Sequence, residues 1–491
     1  MYPLLLTLML LIPAGAGIVE ACLKKASRSV QNILFAAALS LEMLLYAFLW
    51  FLPVNSGFTL FSMTDTLTVA FRLDGIGYLF LLIVTAGFLL GGLFATKYMD
   101  HSENRHRFYA FFLLSEFALV AMDNAANLVT MYMFFEFATL LSIPLVLHDR
   151  TQEAIHAGLK YLFYSVAGAL LGLLCIFVLS GYCTTLDFVP GGSMDHTLVS
   201  GHESLLYVII LLGIIGFGTK AGMYPLHGWL PTAHPEAPAP ASAVLSGVIT
   251  KAGVLAILRV LYYTVGCDFL CGTWVQTILI SLALLTIFMG SMMAYRQDVL
   301  KKRLAYSSVS QISYVLLGLF FMNGESVQGG LLQVLFHACV KICLFLVAGS
   351  IIVNTGKTKV SELRGIGKTM PVTLWSFTIA SLSLIGIPPA SGFVSKWYLA
   401  LGALHSELPV LNWLAPVILL VSALLTAAYL LPVTINGFFP GRDFEVEKGR
   451  KDGPPELWIP IVILAVMSLL MGILAEPVTE WLGSIAGIIA L

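Results

Sequence analysis

Five cationic residues lie inside strongly apolar stretches of this sequence, where an isolated charge is costly. They are Lys220, Lys251, Arg259, Lys341 and Lys396. A charge at the centre of a membrane helix costs about 2.5–3.5 kcal/mol, so such residues usually face a protein interior or a wet cavity. Burial favours the neutral form of a lysine, and a nearby carboxylate favours the charged form. A lysine of this kind next to a movable acidic group is therefore suited to taking up and releasing a proton.

Acidic and histidine side chains in the apolar stretches supply such neighbours. His337 lies four residues before Lys341, so the two side chains share a helix face. Our candidate row for proton or cation transfer consists of Glu136, Lys220, Lys251, His337, Lys341 and Lys396. The alternative interpretation is that each is a structural ion pair or extends to the membrane surface. That interpretation is favoured for Arg259 and Glu42, which lie nearer the ends of their stretches; Glu116 is assigned no role.

Two of the apolar stretches contain helix-breaking residues close to a lysine. The first reads GFGTKAGMYPLHGWLPTAHPEAPAPASA (216–243), and the second reads SLSLIGIPPASGFVSKWYLALGAL (381–404). Proline removes a backbone donor and clashes with the preceding turn, so both helices are predicted to be interrupted. Irregular backbone inside a membrane must be enclosed by protein or line a watered cavity.

The two interrupted stretches also resemble each other. The string Gly216-Phe217-Gly218-Thr219-Lys220 is similar to Gly392-Phe393-Val394-Ser395-Lys396. They lie an odd number of spans apart, which gives the two halves opposite orientation. Paired broken helices in inverted repeats are the best sequence pointer to a transport site near the midplane.

Other polar residues are weaker candidates. His227, His234 and Glu236 follow the first break, where ordinary loop polarity or a proton entrance is favoured over a metal site. The seven cysteines include no C-x-x-C pair, which argues against iron–sulfur ligation. We predict no bound metal and no cofactor in this chain.

Composition determines the protein class. Of 491 residues, 58% are hydrophobic and 11% are charged, with a net charge of −1 and a mean hydropathy of +0.91. An ordinary soluble domain has about 25% charged residues, so we predict an all-α polytopic membrane protein. The absence of a basic excess argues against nucleic-acid binding.

About 20 apolar residues are needed to cross a bilayer. The sequence therefore predicts fourteen spans: 2–19, 30–53, 76–95, 108–122, 126–147, 157–180, 204–224, 241–263, 274–294, 304–322, 328–353, 371–402, 411–438 and 457–475.

The distribution of positive charge orients these spans. Most of the 26 Lys and Arg residues fall in the loops after odd-numbered spans, which the positive-inside rule places in the cytoplasm. The N-terminus is then outside, and the chain is predicted to lie in the cell (inner) membrane. We divide it into N-terminal helices (1–107), a first five-helix repeat (108–263), an inverted second repeat (274–438) and a C-terminal loop and helix (439–491). Spans seven and twelve are the broken ones.

Several strings resemble the antiporter-like membrane subunits of respiratory complex I, membrane-bound hydrogenases and Mrp sodium/proton antiporters. They are NLVTMYMFFEFATLLS (127–142), FGTKAGMYPLHGWLPTAHPEAPAPASAVLSGVITKAGVLAILR (217–259), LFHACVKICLFLVAG (335–349) and IPPASGFVSKW (387–397). The similarity runs from about residue 70 to 440 and is greatest to the D-type member of Mrp antiporters and to hydrogenase-type members. One departure is Glu116, where the family is usually apolar.

The resemblance implies roles for the candidate row. A fifth-span glutamate (Glu136) pairs with a seventh-span lysine (Lys220), and an eighth-span residue (Lys251) relays. Eleventh-span polar residues (His337 and Lys341) continue the path, and a twelfth-span residue (Lys396) ends it. The implied partners are H⁺, with Na⁺ left open, the lipid bilayer and other membrane subunits of the same complex.

Function is therefore predicted as a proton-translocating subunit of a complex I-like NADH:quinone oxidoreductase, a hydrogenase or an Mrp antiporter. No loop is long enough for a catalytic domain, so redox chemistry is expected in partner subunits. Two alternatives stay open. One is a self-sufficient secondary transporter of a small anionic solute, and the other is a scaffold whose buried charges are structural pairs.

Overall fold

The computed structural model describes residues 2–52, 57–64, 67–441 and 449–490, and most of them are helical. The main elements in chain order are α1 (Tyr2–Cys22), α2 (Arg28–Leu49), β1 (Phe58–Ser62), β2 (Thr68–Phe71), α3 (Gly75–Tyr98), α4 (Arg105–Asp123), α5 (Leu128–Val146), α6 (Gln152–Leu179), α7 (Glu203–Ala221), α8 (Leu230–Glu236), α9 (Ala239–Val265), α10 (Trp274–Arg296), α11 (Leu300–Phe320), α12 (Gly324–Thr355), α13 (Pro371–Ile385), α14 (Ser391–Leu404), α15 (Leu411–Phe438), α16 (Pro455–Ile473) and α17 (Ala475–Ile489).

The prediction of an all-α polytopic membrane protein is confirmed. Every predicted span overlaps a helix. In the described part of the chain, eleven helices are long and apolar enough to cross a membrane. Helices α4, α11 and α13 fall outside that set, because α4 contains four charged residues, α11 contains three basic residues and four serines, and α13 has only 15 residues. The count of fourteen spans therefore stays a prediction. Residues 442–448, which hold two of the cations used for orientation, Arg442 and Lys448, lie outside the described residues.

Two elements were not predicted. Strands β1 and β2 form an antiparallel hairpin between α2 and α3, with a bulge between Thr59 and Phe61. Helix α17 follows α16 and buries Leu482, Ile485 and Ala486. Both segments carry few charges and are too short to cross a bilayer, so span counting did not detect them.

The helices differ sharply in burial. The most apolar 18-residue segment of α9 is completely buried, and 89% of the corresponding segment of α12 is buried. In α1, α2, α15 and α16 only 33% of that segment is buried. The peripheral helices expose large apolar side chains such as Leu4, Leu44, Leu420 and Leu424. Lipid is a favourable neighbour for these side chains. Two helices carrying candidate lysines thus form the axis of the protein.

Both predicted breaks are confirmed. Helix α7 ends at Gly222, which has φ +80°, and α8 begins only at Leu230. Helix α13 ends at Gly386, which has φ +92°, and α14 begins at Ser391. Glycine adopts this left-handed conformation without the steric cost that other residues incur. Each break leaves terminal backbone carbonyl groups without helical partners in the protein interior.

Replacing Gly392 with alanine is expected to destabilise the second break. A Cβ atom at this position would overlap the backbone carbonyl oxygen of Ser383, so α13 and α14 would have to separate. Such overpacking costs about 3 kcal/mol. Thermal unfolding of the purified chain should show a lower midpoint for Gly392→Ala. The matched control is Gly15→Ala in α1, whose added Cβ meets nothing within 4 Å. Equal midpoints for the two variants would contradict tight packing at the break.

Candidate functional site

Lys220 lies in the last turn of α7, directly before the first break, and is only 1% exposed. Its Nζ donates hydrogen bonds to the Phe135 carbonyl oxygen (2.8 Å) and to Thr139 Oγ1 (2.7 Å), both on α5. It also lies 4.3 Å from the centre of the Phe135 ring. The ammonium group is thus held by neutral acceptors and an aromatic face.

Glu136 is the neighbour of Phe135 on α5. It is partly buried, and its Oε1 accepts a hydrogen bond from Tyr132 (2.9 Å). Glu136 is close enough to influence Lys220 electrostatically. Among the described residues, however, the two side chains do not form an ion pair within 4.0 Å. The structure therefore brings the predicted partners together with the carboxylate held by Tyr132 and the ammonium held by α5. Rotation of either side chain would change their electrostatic interaction.

Lys251 and His337 are joined directly, although 86 residues separate them. Lys251 Nζ lies 2.8 Å from His337 Nδ1 and donates to the Ser246 carbonyl oxygen (2.6 Å). The Leu245–Ile249 turn of α9 is π-helical, which widens the helix next to this lysine. Such π turns are frequent at functional sites. A charged Lys251 donates to a neutral His337, and a neutral Lys251 accepts from an Nδ1–H group, so this contact can exist with the proton on either side.

His337 also borders a small cavity. Within the described part of the chain its Nε2 atom has no hydrogen-bond partner, and the cavity has a volume of about 10 Å³. That is space for about one water molecule. The lining residues are Gln333, Phe336, His337, Val340, Ser383, Leu384 and Gly392. The cavity thus connects the Lys251–His337 pair on α9 and α12 with the break between α13 and α14.

Lys396 reaches the same break from α14. Its Nζ donates to the carbonyl oxygens of Leu384 (2.5 Å) and Ile385 (2.6 Å), at the C-terminal end of α13. Helix C-termini carry partial negative charge and favour a cation. Leu384 also lines the cavity beside His337, so a residue that holds Lys396 Nζ borders the same cavity.

The five-residue match between the two breaks does not reflect equivalent positions. Lys220 precedes its break, whereas Lys396 follows its break. Aligning the helix-ending glycines, Gly222 and Gly386, pairs Lys220 with Leu384. The carbonyl oxygen of Leu384 holds Lys396 Nζ. Both ammonium groups therefore lie near the C-terminal end of the helix that precedes a break. Lys220 belongs to that helix, whereas Lys396 belongs to the helix that follows the break. The inverted relation of the two halves stays a prediction.

Lys341 is completely buried on α12, one turn beyond His337. Its Nζ donates to the Leu304 carbonyl oxygen on α11 (3.1 Å). The shared helix face places Lys341 near His337, but its hydrogen bond is directed to a different helix.

Neutral polar residues complete the interior and were not among the residues singled out from the sequence. Ser395 Oγ donates to Gln333 Oε1 (2.6 Å), and Gln333 Nε2 donates to Gln311 Oε1 (2.9 Å). Ser246 and Ser308 are hydrogen-bonded at 2.6 Å. Spacing in the sequence could have identified Gln333, because it lies four residues before His337 on the same helix face.

His234 differs from ordinary loop polarity, which was the favoured interpretation. It lies in α8, is completely buried, and neither ring nitrogen has a hydrogen-bond partner. Its ring stacks on Phe345 with centroids 4.7 Å apart. The charges of Lys251, Lys301 and Lys341 act on it. His234 therefore belongs to the buried polar interior.

Arg259 forms a structural ion pair, which is one of the two alternatives favoured for it, whereas Glu42 is buried and does not extend to the protein surface. Arg259 is 1% exposed and forms a bidentate pair with Asp74, with NH1–Oδ2 at 2.5 Å and NH2–Oδ1 at 2.8 Å. Its guanidinium lies between the rings of Phe188 and Tyr263. Asp74 caps α3, so this pair joins α3 to α9 and is structural. Glu42 is completely buried.

Replacing Arg259 with methionine is expected to destabilise the protein by about 3 kcal/mol, because Asp74 would lose its charged partner. Thermal unfolding measures the change, and adding Asp74→Asn should restore part of the loss. The control is Lys97→Met, which removes an exposed pair with Asp100 (2.7 Å) and should cost under about 1 kcal/mol. Similar losses in both variants would contradict a structural role for the buried pair.

Two family models match the chain. The model described as NADH:quinone oxidoreductase/Mrp antiporter, TM matches residues 125–426, which is more than half of the chain. The chain belongs to this family. A second model, NADH-Ubiquinone oxidoreductase (complex I), chain 5 N-terminus, matches residues 61–109. The family resemblance predicted from the sequence is confirmed, and the two matches cover most of the predicted region of similarity.

Curated relatives of the family come from different complexes. The chain is 34% identical over 412 residues to NADH-quinone oxidoreductase subunit N of Desulforudis audaxviator, covering 81% of each chain. It is 30% identical over 396 residues to the D subunit of the Na(+)/H(+) antiporter of Alkalihalophilus pseudofirmus, covering 79% of this chain and 77% of the relative. Among these two family members, identity is higher to the complex I type than to the Mrp type.

The fold of the family is seen in a solved structure as well. The chain is similar to one in the membrane-bound sulfane sulfur reductase, an archaeal respiratory membrane complex, with a TM-score of 0.87. Sequence identity is 23%, and the match covers 99% of this chain and 97% of the other. This likeness concerns the fold.

Proposed function

We propose that this chain is a proton-translocating subunit of a multi-subunit membrane complex. The proposed path contains Glu136, Lys220, Lys251, His337, Lys341 and Lys396. Its main support is the direct contact between Lys251 Nζ and His337 Nδ1, together with the cavity beside His337. Proton transfer needs donor and acceptor within hydrogen-bond reach or separated by one water molecule, and this part of the protein provides both arrangements.

The proposed path has three parts that exchange protons through small movements. Lys220 and Glu136 form the first part, Lys251 and His337 with the neighbouring Lys341 form the second, and Lys396 forms the third. In the first part, a carboxylate that approaches the ammonium favours the charged lysine, and one that withdraws favours proton release. In the third, the α13 carbonyls hold the charged form of Lys396. Energy for such movements would come from partner subunits or from an ion gradient.

We also propose that the N-terminus lies outside the cell membrane and that residues 108–263 and 274–438 are inverted repeats. The family relatives belong to NADH-quinone oxidoreductase and Na(+)/H(+) antiporter assemblies, which supports homologous and smaller membrane subunits as partners. Flux measured with and without a sodium gradient separates proton pumping from sodium/proton exchange. Flux by the purified chain alone would favour the self-sufficient transporter instead.

Replacing Glu136 with glutamine is expected to lower proton flux about tenfold. The variant removes a charge that acts on Lys220, and a change of about 1.4 kcal/mol in proton affinity alters occupancy tenfold. The measurement is dye-reported acidification in proteoliposomes containing the whole complex, normalised to assembled complex. The control is Glu153→Gln, which changes an exposed carboxylate on α6 and should leave flux unchanged. Unchanged flux in Glu136→Gln would contradict its place in the path.

A further inference from the structure

Two acidic residues inside the apolar helices lie outside the candidate row for proton or cation transfer. Glu42 on α2 and Glu116 on α4 are each 0% exposed. All four of their carboxyl oxygens lack a hydrogen-bond partner among the residues that the structure describes. An ionisable group at this depth is costly and usually functional, and an unpartnered buried carboxyl group carries its full desolvation cost.

The packing of α2 against α4 places these two side chains opposite each other. Arg105 Nε donates to Gln31 Oε1 at 2.8 Å, which pairs residues 74 positions apart. The rings of Phe35 and Tyr109 stack at 4.0 Å with the same separation. Glu42 and Glu116 continue this register two turns further along the two parallel helices.

The neighbouring helices bring no cation to this level. On α1, Gly17 packs on Ala110 and Leu114, and the charged residue Glu20 lies nearer the cytoplasmic end. On α3, Gly92 packs on Phe35 and Leu39, and Lys97 lies one turn further towards the cytoplasm, paired with Asp100.

Charged groups on α4 and α5 are also engaged elsewhere. Arg105 is bonded to Gln31 and lies 3.7 Å from Asp100; its Cα lies about 16 Å along α4 from Glu116. Asp123 is near Arg259 at the opposite end. On α5, the Glu136 carboxylate accepts from Tyr132. The facing carboxyl groups therefore lack a counter-charge in the described parts of these helices.

Two buried carboxylates that face each other cannot both be ionised without a compensating cation. A bound metal ion would need further oxygen or nitrogen ligands, and no group of three His, Cys, Asp or Glu side chains suited to a metal occurs in the residues that the structure describes. A shared proton needs only two oxygen atoms, one from each carboxyl group. We propose that Glu42 and Glu116 form a proton-binding carboxyl pair, in which one carboxyl group donates its proton to the carboxylate of the other.

In this state the pair holds one proton and has a net charge of −1. Uptake of a second proton makes both groups neutral, and release of the shared proton leaves two facing negative charges. The site is separate from the proposed path and lies between α2 and α4. It gives the protein a second proton-binding position, and its existence does not depend on the proposed path.

Infrared spectroscopy of the full chain in lipid nanodiscs tests this site. Wild-type protein at neutral pH should show a protonated-carboxyl C=O band that shifts in D₂O. Glu42→Gln and Glu116→Gln should each shift that band, because an amide replaces one member of the hydrogen bond. The double variant should lose the intensity of one carboxyl group. The control is Glu153→Gln, which changes an exposed carboxyl group on α6 and should leave the band unchanged.

Three results would overturn the proposal. An unchanged band in the double variant would show that both groups are ionised, and a loss equal to two carboxyl groups would show that both are neutral. Disappearance of the wild-type band on adding Na⁺ would identify a sodium site instead. If the glutamine variants do not fold, the sodium titration and carbodiimide labelling of wild-type protein test the proposal instead. Carbodiimide reacts with protonated carboxyl groups. Labelling of one residue per molecule, Glu42 or Glu116, supports the proposal, and labelling of neither or of both contradicts it.

Discussion

Replacing Lys220 with alanine is expected to lower proton flux per assembled complex by about 100-fold, with assembly close to wild type. The variant removes an ammonium group that is only 1% exposed and is influenced by Glu136. The acceptors it leaves behind keep other partners. Thr139 Oγ1 still donates to the Phe135 carbonyl oxygen at 3.4 Å, so the α5–α7 interface loses little. Loss of function without loss of structure is therefore the expected outcome.

Two measurements on the same membranes separate these effects. Native gel electrophoresis reports the amount of assembled complex, and dye-reported acidification in proteoliposomes reports flux. The matched control is Lys97→Ala, which removes a lysine that pairs with Asp100 at the end of α3 and should change neither quantity. A fall in flux only in proportion to a fall in assembly would show that Lys220 is structural. That result would favour the scaffold alternative.

Replacing Lys251 with methionine is expected to lower flux by a similar factor of about 100. Methionine keeps the length and apolar character of the side chain but removes the group that contacts His337 Nδ1. His337 Nε2 already lacks a partner, so the histidine would have no protein hydrogen bond left. The transfer step between α9 and the cavity beside α13 would then be interrupted.

The coupling between these two residues gives a second readout. His337→Phe alone should also lower flux strongly, and the double variant should be hardly worse than either single variant, because groups that act as a unit are not additive. The control is Ser308→Ala, which removes the neighbouring 2.6 Å bond to Ser246 and should retain near-wild-type flux. Multiplicative losses in the double variant would show that Lys251 and His337 act independently.

Lys220 and Lys396 illustrate how the two breaks solve the same physical problem differently. Lys220 belongs to the helix that ends at the first break, and it is held by the neighbouring helix α5. Lys396 belongs to the helix that begins after the second break, and it reaches back to the exposed carbonyls of α13. In both cases a broken helix places an ammonium group in the protein interior. The breaks therefore position charge as well as interrupting the helices.

The sequence by itself determined the class of the protein and the types of residues in its interior. Lipid as solvent requires long apolar helices, so hydropathy predicts an all-α membrane protein without knowledge of packing. Proline and glycine act on the local backbone, so both breaks could be read from 216–243 and 381–404. Charged residues inside apolar stretches are visible in the same way, which is why Lys220, Lys251 and Lys396 could be identified as candidates from the sequence.

Tertiary structure alone decided which of these residues meet. The contact between Lys251 and His337 spans 86 residues, and nothing in either segment encodes the register of α9 against α12. The same holds for Glu42 and Glu116, whose facing positions depend on the packing of α2 against α4. It also holds for Lys396, which the sequence match paired with Lys220 although they lie on opposite sides of their breaks. Hydropathy reports depth in the membrane, whereas helix register depends on the fit of side chains between neighbouring helices.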